Sequence, residues 1–102
     1  MDNNFRVLRA EIFICRNAPN FFLILVKENE RWGIEPIIDG QTYLRKYFDT
    51  KENAVKIFEE LTASLLTLSD GFDKKEHEYY FADIKTVVPL LVLAFGKPSK
   101  TA

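Results

Sequence analysis

The stretch DTKENAVKIFEELTASLLTL, Asp49 to Leu68, decides the fold. Residues three and four apart share one side of a helix, and that spacing sets Ala54, Ile57, Phe58, Leu61, Leu65 and Leu68 on one stripe. Lys51, Glu52, Lys56, Glu59 and Glu60 fall elsewhere. Asp49 or Thr50 serves as N-cap, Asp49 and Glu52 have capping-box spacing, and Glu52–Lys56 is an i,i+4 pair in the favourable order. An apolar stripe must be covered by a sheet or a second helix. Val55, Thr62 and Leu66 broaden the arc, so two packing partners are expected.

The residues before this helix read as its sheet. Phe5 to Arg16 alternates, with Leu8, Ala10, Ile12 and Ile14 on one face. The other face, Phe5, Val7, Arg9, Glu11, Phe13 and Cys15, is mixed, which predicts Arg9 and Glu11 in water. Asn17 to Asn20 is a turn around Pro19. Phe21 to Glu28 opens with six apolar residues and reads as a central strand buried on both faces. Asn29-Glu30 is a tight connection to a strand over Arg31 to Ile38. Asp39-Gly40 is a hairpin signal, because a type I′ turn needs positive φ at both central residues. Gln41 to Phe48 then returns as the fourth strand.

Beyond the helix, Ser69 to Glu78 is a polar loop with Gly71 as helix terminator, and Tyr79 to Lys85 is a candidate fifth strand. Thr86 to Gly96 reads as a short helix with Thr86 as N-cap, Pro89 in the first turn and Gly96 at the end; the alternative is a strand. The expected fold is therefore α+β: an antiparallel sheet of four or five strands, one long helix across one face, and a short apolar C-terminal helix. The 102 residues suit one domain, 1–102, with 1–4 and 97–102 as flexible ends. That length lies well above the roughly 40 residues below which a core needs metal or disulfide support.

Composition narrows the function classes. The net charge of −1 gives no electrostatic footprint for duplex nucleic acid. Phe21–Val26 and Val87–Phe95, the longest apolar runs, fall far short of the ~20 residues that span a bilayer. A lone cysteine, Cys15, and an N-terminus without signal-peptide pattern point to a reducing, cytoplasmic setting. One His and one Cys cannot build a zinc site of the usual kind within one chain. No phosphate-cradling glycine pattern and no nucleophile elbow occurs. His77, in a charged loop, reads as a solvated histidine, and Cys15 as a buried thiol. No catalytic residue, metal or cofactor is assigned.

Two surfaces stand out. A two-residue Asp39-Gly40 loop pairs position 36 with 43, 34 with 45 and 32 with 47, which groups Trp32, Tyr43, Arg45 and Tyr47 on one face. With Glu35 and His77, these are the candidate ligand-binding residues. The second surface is Val87–Phe95, where Val87, Val88, Leu90, Leu91, Val92, Leu93 and Phe95 carry no polar side chain. A helix apolar all round is buried or lies at an interface, so this run is the candidate oligomer contact. The leading expectation is a non-enzymatic binding or adaptor protein working through an apolar and aromatic surface, as a homodimer. The alternatives are a small-molecule or enzymatic pocket between the hairpin face and the helix, and single-stranded nucleic-acid binding by stacking.

Overall fold

The computed structural model describes residues 5–16, 20–38, 41–97 and 99–100, with backbone only at 41–42 and 99–100. The chain forms one small α+β domain. Its strands are β1 (Phe5–Cys15), β2 (Phe21–Glu28), β3 (Arg31–Ile38), β4 (Gln41–Thr42), β5 (Lys46–Phe48), β6 (Gly71–Asp73), β7 (Glu78–Phe81) and β8 (Ser99–Lys100). The helices are α1 (Lys51–Leu68) and α2 (Val88–Phe95), with a 3-10 turn at Ile84–Thr86 before α2. The sheet runs β6-β7-β1-β2-β3-β4-β8, and β5 flanks β3 beyond β4. Six strands have three residues or more. Among the described residues no helix is long and apolar enough to cross a membrane.

The sheet is mixed rather than antiparallel, because β7 runs parallel to β1. After α1 the chain returns on the far side of β1, where β6 and β7 form a short hairpin. Gly71 therefore begins a strand, and Ser69 closes α1 through its N–H and its hydroxyl, both donating to the Leu66 carbonyl. The strand over 79–85 ends at Phe81, where Asp83 caps the 3-10 turn by accepting from the Lys85 N–H. The C-terminal run is a helix, with Pro89 in its first turn and Gly96 at φ 82 at its end. Its N-cap is Val87 rather than Thr86. Ser99–Lys100, expected within a loose tail, pairs with β4. The Asp39-Gly40 turn and Asn17 to Pro19 lie outside the described residues.

Thr50 is the N-cap of α1, its hydroxyl accepting from the Asn53 N–H at 3.2 Å. With Thr50 in that role the N3 residue is Asn53, so Asp49 and Glu52 do not form the expected box. Ala54, Phe58, Thr62 and Leu65 are the buried positions of α1. Buried Thr62 donates to the Glu59 carbonyl at 3.0 Å, which removes the cost of its hydroxyl. Val87, Leu91 and Phe95 join Phe58 and Leu65 in one core cluster. α2 of the same chain thus contributes to the core that α1 covers, while Leu66 and Leu68 of the expected apolar arc stay exposed.

Residues paired across a ladder share a face, so rows can be followed over the sheet. On the helix side, Ile38, Phe21, Phe13 and Tyr79 form one row and Pro36, Leu23 and Glu11 the next. The Phe13 ring stacks on Phe21 at 4.7 Å and on Tyr79 at 4.6 Å. On the other side, Ile37, Phe22 and Ile12 form a row, followed by Glu35, Ile24 and Ala10, then Gly33, Val26 and Val7. A register shift between Val7 and Arg9 divides β1. It turns Phe5 and Val7 to the same side as Ala10 and Ile12, and leaves Arg9 and Glu11 on the helix side. Glu11 is consequently buried, at 4% exposure, where alternation had placed it in water.

Candidate functional site

The helices cover only one face of the sheet. On the uncovered face Phe5, Val7, Phe22, Ile37 and Tyr80 are exposed, and Ile12 and Ile14 are half-buried among them. These side chains belong to four adjacent strands, β7, β1, β2 and β3. Exposed apolar side chains grouped on one face are uncommon on monomeric proteins.

One border of this face is a polar cluster built around Arg45. Its Nη1 donates to Glu28 Oε1 at 2.7 Å, and its Nε donates to Glu35 Oε1 at 2.6 Å. Tyr47 donates its hydroxyl to Glu28 Oε1 at 2.7 Å. The Phe5 ring lies 5.2 Å from the Arg45 guanidinium, and the Arg31 guanidinium stacks on the Tyr47 ring at 3.8 Å. The Tyr47 hydrogen bond, followed by the charge of Arg45, outweighs desolvation and holds the Glu28 carboxyl below its ordinary range. Burial alone would lower the Arg45 pKa, but the hydrogen bond and charge of Glu35 reverse this and raise it. Two arginines and two glutamates leave the cluster neutral.

Of the six residues expected to form a ligand site, Arg45, Tyr47 and Glu35 come together here. Trp32 does not, because β5 pairs one residue out of step with the hairpin. Ile38 opposes Gln41 and Ile37 opposes Thr42, but Ile34 opposes Lys46, Gly33 opposes Tyr47 and Trp32 opposes Phe48. Tyr43 to Arg45, between β4 and β5, absorb the extra residue. That slip sends Trp32 to the helix side and Tyr47 to the open face. Tyr43 enters the core at 2% exposure, and burial raises its hydroxyl pKa. The three aromatics thus share no common platform. His77 lies far along the sheet order, in the β6–β7 turn, and packs edge-on against Phe72.

Glu28 and Arg31 are the members of this cluster that sequence reasoning missed. The sequence signal for the cluster is Gly33, inside a strand, where glycine marks a close approach of another chain segment. A Cβ built there would stand 2.6 Å from Arg45 Cδ and 3.3 Å from Tyr47 Cε1.

Part of the expected oligomer surface is taken up by the chain itself. Val87, Leu91 and Phe95 are buried within the chain's own core, and Val88, Leu90 and Val92 are half-buried. Only Leu93, at 85%, projects fully into solvent.

On the helix side, buried Glu11 accepts from the Tyr79 hydroxyl at 3.0 Å. Arg9 Nη2 lies 3.9 Å from its other oxygen, and His77 Nδ1 is 3.8 Å from Oε1. Arg9 also stacks on Phe58 and pairs with Glu59 of α1. Cys15 is remote from His77 in the strand pairing, and burial, then the charge of Asp83, pushes its thiol pKa up. It is a core thiol, held in its protonated form.

A small cleft of about 260 Å³ opens between β5, α1 and α2. Its walls include Phe48, Ile57, Leu61 and Phe95, with Lys46, Glu60 and Ser64 among its polar groups. None of the six residues expected for a hairpin–helix pocket lines it. No protein-family description, curated protein or solved structure matches the chain.

Proposed function

We propose that this protein is a non-enzymatic binding module that works through the uncovered face of its sheet, and that the face docks a second copy of the chain. The carrying observation is the set of exposed and half-buried apolar side chains Phe22, Ile37, Ile12, Val7 and Phe5 on the sheet face opposite the helices. Two such faces can stack as sheets do, about 10 Å apart, with their side chains interdigitating. The bordering cluster favours a like partner. Arg45 and Arg31 balance Glu28 and Glu35, so a second copy brings no opposing net charge and meets no repulsion. A twofold arrangement uses the same patch on both copies and closes without exposing a further surface. The single buried cysteine suits a reducing, intracellular setting for this role.

Sedimentation velocity at tens of micromolar tests this reading. The unaltered chain should sediment as a dimer. Phe22→Asp, at an exposed position, should give a folded monomer by the same measurement and by circular dichroism. An unaltered chain that is monomeric removes the second copy as occupant. A dimer that survives Phe22→Asp removes the sheet face as its interface.

A further inference from the structure

The cleft between β5, α1 and α2 lies on the opposite side of the sheet from the open face. Its helical wall is Ile57, Glu60, Leu61 and Ser64, an i, i+3, i+4, i+7 stripe that points one side of α1 into it. Lys46 stands on the facing wall, because it opposes Ile34 on the helix side of the sheet. Phe48 and Phe95 supply aromatic surface below. Among the described residues neither Lys46 nor Glu60 has an ion-pair partner. Opposite charges on two facing walls, unpaired with each other, complement a molecule that carries both signs. The volume limits the occupant to one small molecule.

We infer that this cleft binds a free α-amino acid with a large apolar side chain. Its carboxylate meets Lys46, its ammonium meets Glu60, and the side chain enters between Phe48, Leu61 and Phe95. The Ser64 hydroxyl, one helical turn beyond Glu60, lies on the same wall. A ligand with one charge would leave the other wall unpaired, so the two head groups together set the specificity.

Amide NMR of the full isotopically labelled chain tests this with phenylalanine as probe. Saturable shifts are expected at Phe48, Ile57, Leu61, Ser64 and Phe95. 3-Phenylpropionate, which lacks the ammonium, and phenethylamine, which lacks the carboxylate, should each bind about fivefold more weakly, the worth of one solvent-facing ion pair. Lys46→Ala should erase the preference for phenylalanine over phenethylamine. Glu60→Gln should erase the preference over 3-phenylpropionate. Both positions are exposed, so neither change threatens the fold. The inference is overturned if phenylalanine gives no saturable shift in the cleft, if the analogues bind as well as phenylalanine, or if the shifts map to Phe22 and Ile37 instead.

Discussion

The Arg45 side chain lies across Gly33 so closely that a Cβ at Gly33 would stand 2.8 Å from its Cγ and 2.6 Å from its Cδ. Glycine is required here for space, since no positive φ occurs at this residue. The guanidinium is held at its far end by Glu28 and Glu35, so the stem cannot swing aside without breaking those contacts. Gly33→Ala should therefore destabilise the fold by about 1–3 kcal/mol, as overpacking does. In an Arg45→Ala background the same change should cost much less. Urea denaturation of the four-member cycle measures this coupling, and additive effects would dissociate Gly33 from Arg45.

The Glu28 carboxyl offers a pH test of the same cluster. The Tyr47 hydroxyl is the largest cause of its lowered pKa, with Arg45 contributing next. A carboxylate with a depressed folded pKa adds stability above its unfolded value of 4.5, and that stability is lost as pH falls through the folded value. Tyr47→Phe retains the ring beneath Arg31 and removes the hydroxyl. It should shift the urea midpoint less at pH 3 than at pH 7, giving a shallower acid limb than the unaltered chain. Parallel curves would show that Tyr47 does not tune Glu28.

Much of this architecture is legible in the residues, and the failures have physical causes. The stripe of α1, the apolar run of β2 and the Pro89 and Gly96 positions of α2 are local signals, and each element forms where they stand. The Arg45 cluster was only half legible, because a hairpin turn fixes register near the turn alone. One extra residue at Tyr43 to Arg45 exchanged Trp32 for Glu28 as the neighbour of Tyr47. The shift in β1 did the same to Glu11, moving it from expected solvent to the core. The parallel β1–β7 pair links residues far apart in the chain, and no local pattern encodes it. The apolar content of Val87–Phe95 reads as excess for a sheet and one helix, and the structure puts Val87, Leu91 and Phe95 of it into the chain's own core. The open surface lies on the opposite face of β7, β1, β2 and β3.

The cap of α1 separates two residues that sequence spacing left equivalent. Thr50 accepts from the Asn53 N–H, and Asp49 has no part in that bond. Thr50→Ala should lower stability by about 1 kcal/mol, the usual cost of a lost N-cap. Asp49→Ala should lie within a few tenths of zero. Thermal denaturation of both variants decides between them, and an equal loss at Asp49 would reassign the cap.

Tyr79 joins the first strand to the last hairpin through a buried carboxylate, and its titration should be visible in the stability of the whole chain. Burial, and then the hydrogen bond to Glu11, pushes its hydroxyl from 10.0 up to about 12. A group whose folded pKa is raised contributes stability that is complete below the unfolded value and lost as pH rises through the folded one. The window is therefore pH 10 to about 12. Across it the unaltered chain should lose most of the roughly 3 kcal/mol that two pKa units represent, at roughly 1.4 kcal/mol per unit. Tyr79→Phe should lose less over the same window, because Tyr43 and Tyr80 still titrate but this hydroxyl does not. At neutral pH the variant should be destabilised by about 1–3 kcal/mol, since buried Glu11 loses its donor. Glu11→Leu in the Tyr79→Phe background should recover part of that loss, because no unsatisfied carboxylate then remains beside Leu23 and Pro36. Denaturation of the three chains at pH 7 and pH 11 measures both effects, and an unchanged alkaline slope in Tyr79→Phe would remove Tyr79 as their source.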